Sequence, residues 1–224
     1  SYSGLKSYGV PKKKGLVIYN GYDFSRNNNL VDKEKIRKKF SIKTKFVVGM
    51  VASFLPVKDY NFFFDVALKF CKKNKDISFI AVGDGPQLEY FRMLVKESKM
   101  ENIFLVGLQD DVESIINIFN VGILLTNSSI TEEGISNTII EYMALKIPVI
   151  ASYGRGTAEI IKNNYNGYLL YDRNIDELIK KIKNLLYLSD NNDRVLKEGI
   201  KTIETKFNIV NVGTSFYNLY KEIK

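Results

Sequence analysis

Short apolar runs alternate with longer amphipathic stretches along almost the whole chain. Residues 46–52, 77–82, 103–106, 121–125, 148–151 and 167–170 are nearly continuous in apolar residues. Runs of that length, bounded by turn residues, read as strands buried on both faces. Between them, 61–73, 87–98, 111–119, 136–145 and 157–162 read as helices. Phe63, Ala67 and Phe70 recur at helical spacing on the inward face of the first. Three more helices follow the last strand, over 175–188, 192–206 and 209–223. A short strand is also expected at 16–19, closed by the turn Asn20-Gly21-Tyr22-Asp23. A polar, charged stretch then runs to about residue 45. Strand–helix alternation with fully apolar strands predicts an α/β fold, a Rossmann-like three-layer α/β/α arrangement on a parallel sheet with extra C-terminal helices. Residues 40–224 contain no internal repeat or low-complexity linker, so 16–224 is expected to form one domain. Residues 1–15 read as a tail or the remnant of a preceding domain or linker.

Composition narrows the chemistry. A chain of 224 residues, 45% hydrophobic and 26% charged, can bury an ordinary globular core. It has no apolar run near the ~20 residues that span a bilayer and no signal-peptide pattern. Opening on Ser1 rather than Met suits a portion of something longer. The lone cysteine, Cys71, lies in the Phe-rich helix and reads as a packed core thiol in a reducing, cytoplasmic compartment. There is no histidine, which removes His-based nucleophile pairs, metal sites and general bases from this chain. The net charge of +8 comes from lysines scattered among Asn and Ile, with one tight cluster at Lys12-Lys13-Lys14. That distribution reads as solvated surface rather than a nucleic-acid interface. Attraction to anionic substrates or an acidic membrane face is the second reading.

In a parallel sheet ligands collect beyond the carboxyl ends of the strands, so the residues there are the candidates. After the first core strand comes Ser53-Phe54-Leu55-Pro56-Val57-Lys58-Asp59, where Lys58 could reach a phosphate. Gly83-Asp84-Gly85-Pro86 follows the second strand, but Leu88 stands where a dinucleotide fingerprint needs its third glycine. NAD is therefore rejected, and Asp84 reads as a turn or cap residue. After the fourth strand, residues 126–134 bring Glu133 and Gly134 to the start of a helix whose first turn holds Ser136, Asn137 and Thr138. Unpaired N–H groups and the positive end of the helix dipole suit a diphosphate without metal. Glu141, one and a half turns on, sits among Ile140, Met143 and Ala144. A largely buried carboxylate there needs donors, which ribose hydroxyls could provide. After the fifth strand, Arg155 is a candidate anion contact.

Taken in order, these pieces resemble glycosyltransferase family 4, retaining enzymes of the GT-B fold, in their C-terminal donor-binding domain over about residues 16–222. The carrying block is E-E-G-I-S-N-T-I-I-E-Y-M-A-L-K-I-P-V-I-A-S at 132–152. A-V-G-D-G-P at 81–86, N-G-Y-L-L at 166–170 and V-I-Y-N-G-Y-D at 17–23 fall in the family's order around it. The resemblance implies a nucleoside-diphosphate-sugar donor, no metal or other cofactor, and transfer to an acceptor hydroxyl with retention. Glu133 would contact the donor sugar, Glu141 the ribose and Lys58 the diphosphate, with the Ser136–Thr138 backbone cradling phosphate oxygens and Gly134 and Ile135 among the substrate-binding residues. Gly107 and Leu108 would line the base pocket, and Gly49 would let the donor approach the first strand end. The acceptor, a glycan or lipid-linked saccharide, would lie on an N-terminal domain that this chain lacks, with peripheral association at the inner membrane face. The chain departs from the pattern at Ser53, where the family has an arginine. Lys146 and Arg155 stand where it commonly has glycine. Arg155 is expected to supply the charge missing at Ser53. The rival readings are a GT-B sugar-nucleotide epimerase and a nucleotide-sugar-binding module with degenerate chemistry.

Overall fold

The apolar runs form six strands, β1 (Phe46–Val51), β2 (Ile77–Val82), β3 (Ile103–Gly107), β4 (Val121–Leu124), β5 (Val149–Ser152) and β6 (Tyr168–Leu170). In the computed structural model, which describes residue 9 and residues 16–131, 134–188 and 192–223, all neighbouring strands pair in parallel in the order β3-β2-β1-β4-β5-β6. The helices are α1 (Lys33–Lys39), α2 (Tyr60–Lys73), α3 (Leu88–Ser98), α4 (Val112–Ile116), α5 (Asn137–Ala144), α6 (Arg155–Ile160), α7 (Ile175–Tyr187), α8 (Asn192–Lys206) and α9 (Ile209–Ile223).

Successive strand residues point to opposite faces, and the core divides accordingly. Val47, Ile80 and Val82 pack with Ile139, Tyr142 and Met143 of α5 and Ile203 of α8. Val48, Phe79 and Ala81 pack with Phe63, Phe64 and Phe70 of α2 and Leu178 and Ile182 of α7. The result is the expected three-layer α/β/α architecture. Helix starts follow local chemistry: Asp59 accepts from Phe62 N (3.1 Å), Asp111 from Ser114 N (3.0 Å) and Asn174 from Glu177 N (3.0 Å). Each satisfies a backbone donor that the helix cannot.

The sheet order reverses between β1 and β4, and there the two strands separate. They pair at Val48↔Val121, Gly49↔Gly122 and Met50↔Ile123. At Val51 the polar backbone turns to α5: Val51 N donates to the Tyr142 hydroxyl (2.8 Å), and Thr138 Oγ1 donates to Val51 O (3.2 Å). Thr138 and Tyr142, one helical turn apart, thereby hold the start of α5 over the opening between the strands.

Three expectations are corrected. Residues 16–19 are not a strand, because their hydrophobic partner is a helix end: the Tyr19 ring lies 5.2 Å from Phe207. The chain then docks on the α8–α9 junction through Tyr22 N to Phe207 O (2.6 Å) and Ile209 N to Tyr22 O (3.1 Å). The polar stretch before β1 contains a 3₁₀ helix (Phe24–Asn29) and α1, capped by Asp23 and Asp32. Gly49 does not admit a ligand. It is buried mid-strand, and a Cβ there would overlap the Phe119 ring. The expected tail at 1–15 lies outside the described residues apart from residue 9.

Two substitutions involving glycine should have opposite signs. Gly49→Ala forces methyl against ring and should destabilise by about 1–3 kcal/mol. Lys146 sits after α5 with φ 58, a left-handed conformation that disfavours a side chain, so Lys146→Gly should stabilise by up to about 1 kcal/mol. Urea unfolding midpoints read both. An unchanged midpoint for Gly49→Ala would place Phe119 elsewhere.

Candidate functional site

The crevice at the β1–β4 divergence has two walls. On one, the loop from β1 to α2 is tied to the chain after β4: Asn127 N donates to Val57 O (2.9 Å) and Asp59 N to Leu125 O (3.2 Å). Between these bonds Lys58 pairs with Thr126 in an isolated antiparallel bridge. Lys58 is therefore held beside the end of β4, half-buried, although it belongs to a loop.

The other wall is the first turn of α5. Ser136 is the N-cap, buried and extended (φ −93°, ψ 123°), and its hydroxyl does not cap the helix. The Asn137 carboxamide accepts from Asn20 Nδ2 (2.8 Å), and the Thr138 hydroxyl is spent on Val51. Their backbone N–H groups are first-turn donors without an intrahelical acceptor. Ile135 is half-buried against the α5-side core, while Gly134 is exposed with nothing within 4 Å of where a side chain would begin. Glu133 lies outside the described residues.

Beside Val51, on the β2–β3 side, an apolar pocket of about 270 Å³ is lined by Ala52, Ser53, Gly83, Leu108 and Val112. Gly107 makes the bend into it at φ 70. Its carbonyl accepts from Gly83 N (2.9 Å), and Leu108 is 73% exposed at the rim. The Gly83-Asp84-Gly85 turn does not cradle phosphate. A Cβ on Gly83 would overlap Ala52 O, and one on Gly85 would lie 2.7 Å from Phe54 O. These glycines allow two backbones to meet, and Asp84 turns the chain by accepting from Gly85 N (2.8 Å).

Glu141 lies one turn along α5 and lines a depression of about 380 Å³ with first-turn Asn137 and with Asn20, Tyr22 and Arg26. Burial, reinforced by the nearby Glu113 carboxylate, holds its pKa above the usual glutamate value, and Arg26 only partly offsets this. Arg26 forms an ion pair with Glu113, which is almost fully buried. Neither residue is a candidate from sequence. Arg26 falls in the stretch with no assigned element, and Glu113 looks like an ordinary first-turn helix charge. Arg155 opens α6 and is exposed. It follows β5, so β4 lies between it and Ser53 in the sheet.

The family model for "Glycosyl transferases group 1" matches residues 32–202. The chain is 27% identical over 184 residues to the poly(ribitol-phosphate) alpha-N-acetylglucosaminyltransferase of Staphylococcus aureus, covering 80% of this chain and 36% of that protein. It is 26% identical over 226 residues to the UDP-Gal:alpha-D-GlcNAc-diphosphoundecaprenol alpha-1,3-galactosyltransferase of Escherichia coli, covering 96% and 56%. The chain thus spans about half or less of these relatives' own lengths. Among solved structures, Anabaena HepE in complex with UDP-glucose superimposes with a TM-score of 0.85 at 18% identity, over 98% of this chain and 61% of that one. On the matched family model and the fold, the chain belongs to the glycosyl transferases group 1 family and is built as its C-terminal GT-B domain.

Proposed function

We propose that this domain holds the nucleoside-diphosphate-sugar donor of a retaining, metal-independent glycosyltransferase of family 4. Two observations support the reading at the topological switch point: Lys58 bridges Thr126 beyond the end of β4, and Thr138 in the first turn of α5 is bonded to Val51 at the end of β1. A diphosphate placed there meets a cation on one side and a helix N-terminus on the other. These groups would stabilise the charge that develops on the leaving diphosphate as the anomeric C–O bond breaks. That is the largest task in such a transfer. In this reading the base enters the apolar pocket at Gly107 and Leu108, while Glu141 accepts from ribose hydroxyls. Glu133 orients the donor sugar, and Arg155 supplies the charge absent at Ser53.

The acceptor belongs to a second domain. Val210 (69%), Tyr217 (59%) and Tyr220 (66%) of α9 are exposed, a surface suited to being covered, and the relatives are longer than this chain. The chain alone should bind nucleotide without transferring sugar. The acceptor we propose is a cell-surface glycan or lipid-linked saccharide, met at the inner membrane face. Among the described residues no helix is long and apolar enough to cross a membrane. Ser53 favours one alternative, a domain that binds the donor but does little chemistry.

UDP is the nucleotide to try, because one relative is named for UDP-Gal and a neighbouring structure holds UDP-glucose. By isothermal titration the chain should bind UDP. Lys58→Ala should weaken binding tenfold or more, roughly the loss of one charge-assisted contact, and Arg155→Ala should weaken it measurably. Unchanged affinity in Arg155→Ala with abolished binding in Lys58→Ala would remove Arg155 from the site. Absence of binding by any nucleoside diphosphate at millimolar concentration would end the donor reading.

Glu141 gives a pH test. Its raised pKa means that the folded chain binds this proton more tightly than the unfolded chain, so ionisation opposes folding as pH rises. Glu141→Gln should therefore raise the melting temperature at pH 7. The gain should fade as pH falls through the folded-state value toward the unreacted glutamate's 4.5. The same variant should bind UDP more weakly. A variant less stable at pH 7, or one with undiminished affinity, counts against the ribose role.

A further inference from the structure

Beyond β4 the strand ends carry a third depression, away from the Ser53–Leu108 pocket and the Glu141 depression. It holds about 220 Å³ and lies where β4, β5 and β6 end, next to the start of α2. One side of it is an ion pair: Arg173, exposed on its outer face, donates through Nε to Asp59 Oδ2 (2.6 Å) and through Nη2 to Asp59 Oδ1 (3.1 Å). Asp59 is 4% exposed and also caps α2, while the Arg173 guanidinium lies 5.4 Å from the centre of the Phe62 ring. Both partners are therefore fixed in place. Around them stand Asn127, Ser128 and Ser152, and the Ser152 hydroxyl accepts from Thr126 N (3.1 Å). The rim is aromatic. Tyr153 and Tyr171 stack with centroids 5.0 Å apart and planes 29° apart, yet remain 49% and 59% exposed.

We propose that this depression is a binding subsite for one neutral sugar residue, with Tyr153 and Tyr171 as its stacking face. A pyranose has an apolar C–H face and a ring of hydroxyls at its edge. Two exposed tyrosines match the first, and a rigid carboxylate–guanidinium pair beside an amide and two hydroxyls matches the second. The charge balance selects against the donor diphosphate: the ionised groups lining the depression are Asp59, Asp172 and Arg173, one net negative charge. The site shares its wall with the transfer crevice, since Asp59 follows Lys58 and Asn127 follows Thr126 in the chain. Assigning the bound sugar to the acceptor or product glycan rests on the donor-domain reading above. The binding itself does not.

Saturation-transfer NMR of the chain with maltotriose, N,N′-diacetylchitobiose and lactose at millimolar concentration tests this, with UDP titrated in parallel. At least one saccharide should receive saturation. Tyr153→Gln and Tyr171→Gln should weaken its binding roughly three- to tenfold, as expected for loss of an aromatic face. Both should leave UDP affinity unchanged, and Tyr171→Phe should retain saccharide binding. Both tyrosines are half-exposed, so melting temperatures should move little. Three silent saccharides alongside bound UDP would overturn the subsite and leave the donor reading standing. Saccharide binding without UDP binding would do the reverse. A saccharide bound equally by wild type and both Gln variants would place sugar recognition elsewhere and overturn the proposal.

Discussion

β1 and β4 run side by side until Val51, where the β1 backbone is taken over by two side chains of α5, Tyr142 and Thr138. Buried backbone groups must find partners. This arrangement satisfies Val51 while allowing the strands to part, and the rest of the site depends on it. It opens the crevice, and it places the α5 first turn above the opening. Its steric consequences reach into the strands: rings occupy the space that side chains on Gly49 and Gly122 would need, Phe119 at the first and Tyr142 at the second. These two glycines serve the core that holds the site, and neither serves the ligand directly.

The charges around the site are arranged unevenly. Lys58 is carried on a loop that two backbone hydrogen bonds pin to the end of β4, so its position is set by the sheet rather than by loop chemistry. Glu141 is kept in a setting that disfavours its charge, beside a second carboxylate whose own cation, Arg26, arrives from the segment before α1. A carboxylate held so reduces stability unless a ligand provides donors. The Asp59–Arg173 pair is different, because the two partners satisfy each other and Asp59 satisfies the α2 N-terminus as well. In the proposed reading, adjacent residues of one loop thus serve two neighbouring sites with opposite demands, Lys58 a diphosphate and Asp59 a neutral sugar.

Much of the fold was legible because it follows from local patterning. Ile77–Val82, Asn192–Lys206 and Ile209–Ile223 end where their apolar periodicity ends. The caps at Asp59, Asp111 and Asn174 are short-range chemistry. The candidate site was legible in outline for a related reason: in a parallel sheet the loops after the strands must meet at one edge, so Lys58 and the 134–138 segment could be assigned to a common crevice. The 16–19 run misled because apolar alternation over four residues does not say whether the partner is a sheet or a helix end. Here Phe207, far along the chain, decided it.

Residue patterning alone was therefore enough for the order and type of the main elements and for the glycosyltransferase resemblance that the matched family bears out. Tertiary structure alone decided which distant residues share a cavity. Arg26 meets Glu113, Asp59 meets Arg173 across 114 positions, and Tyr153 meets Tyr171 from successive strand ends. It also showed that Gly49 makes room for Phe119 rather than for a ligand. The physical reason is the range of the interactions. Hydrophobic period and capping act within a few residues and leave a local trace. An ion pair or a ring contact between remote segments is specified only once the sheet has brought them together.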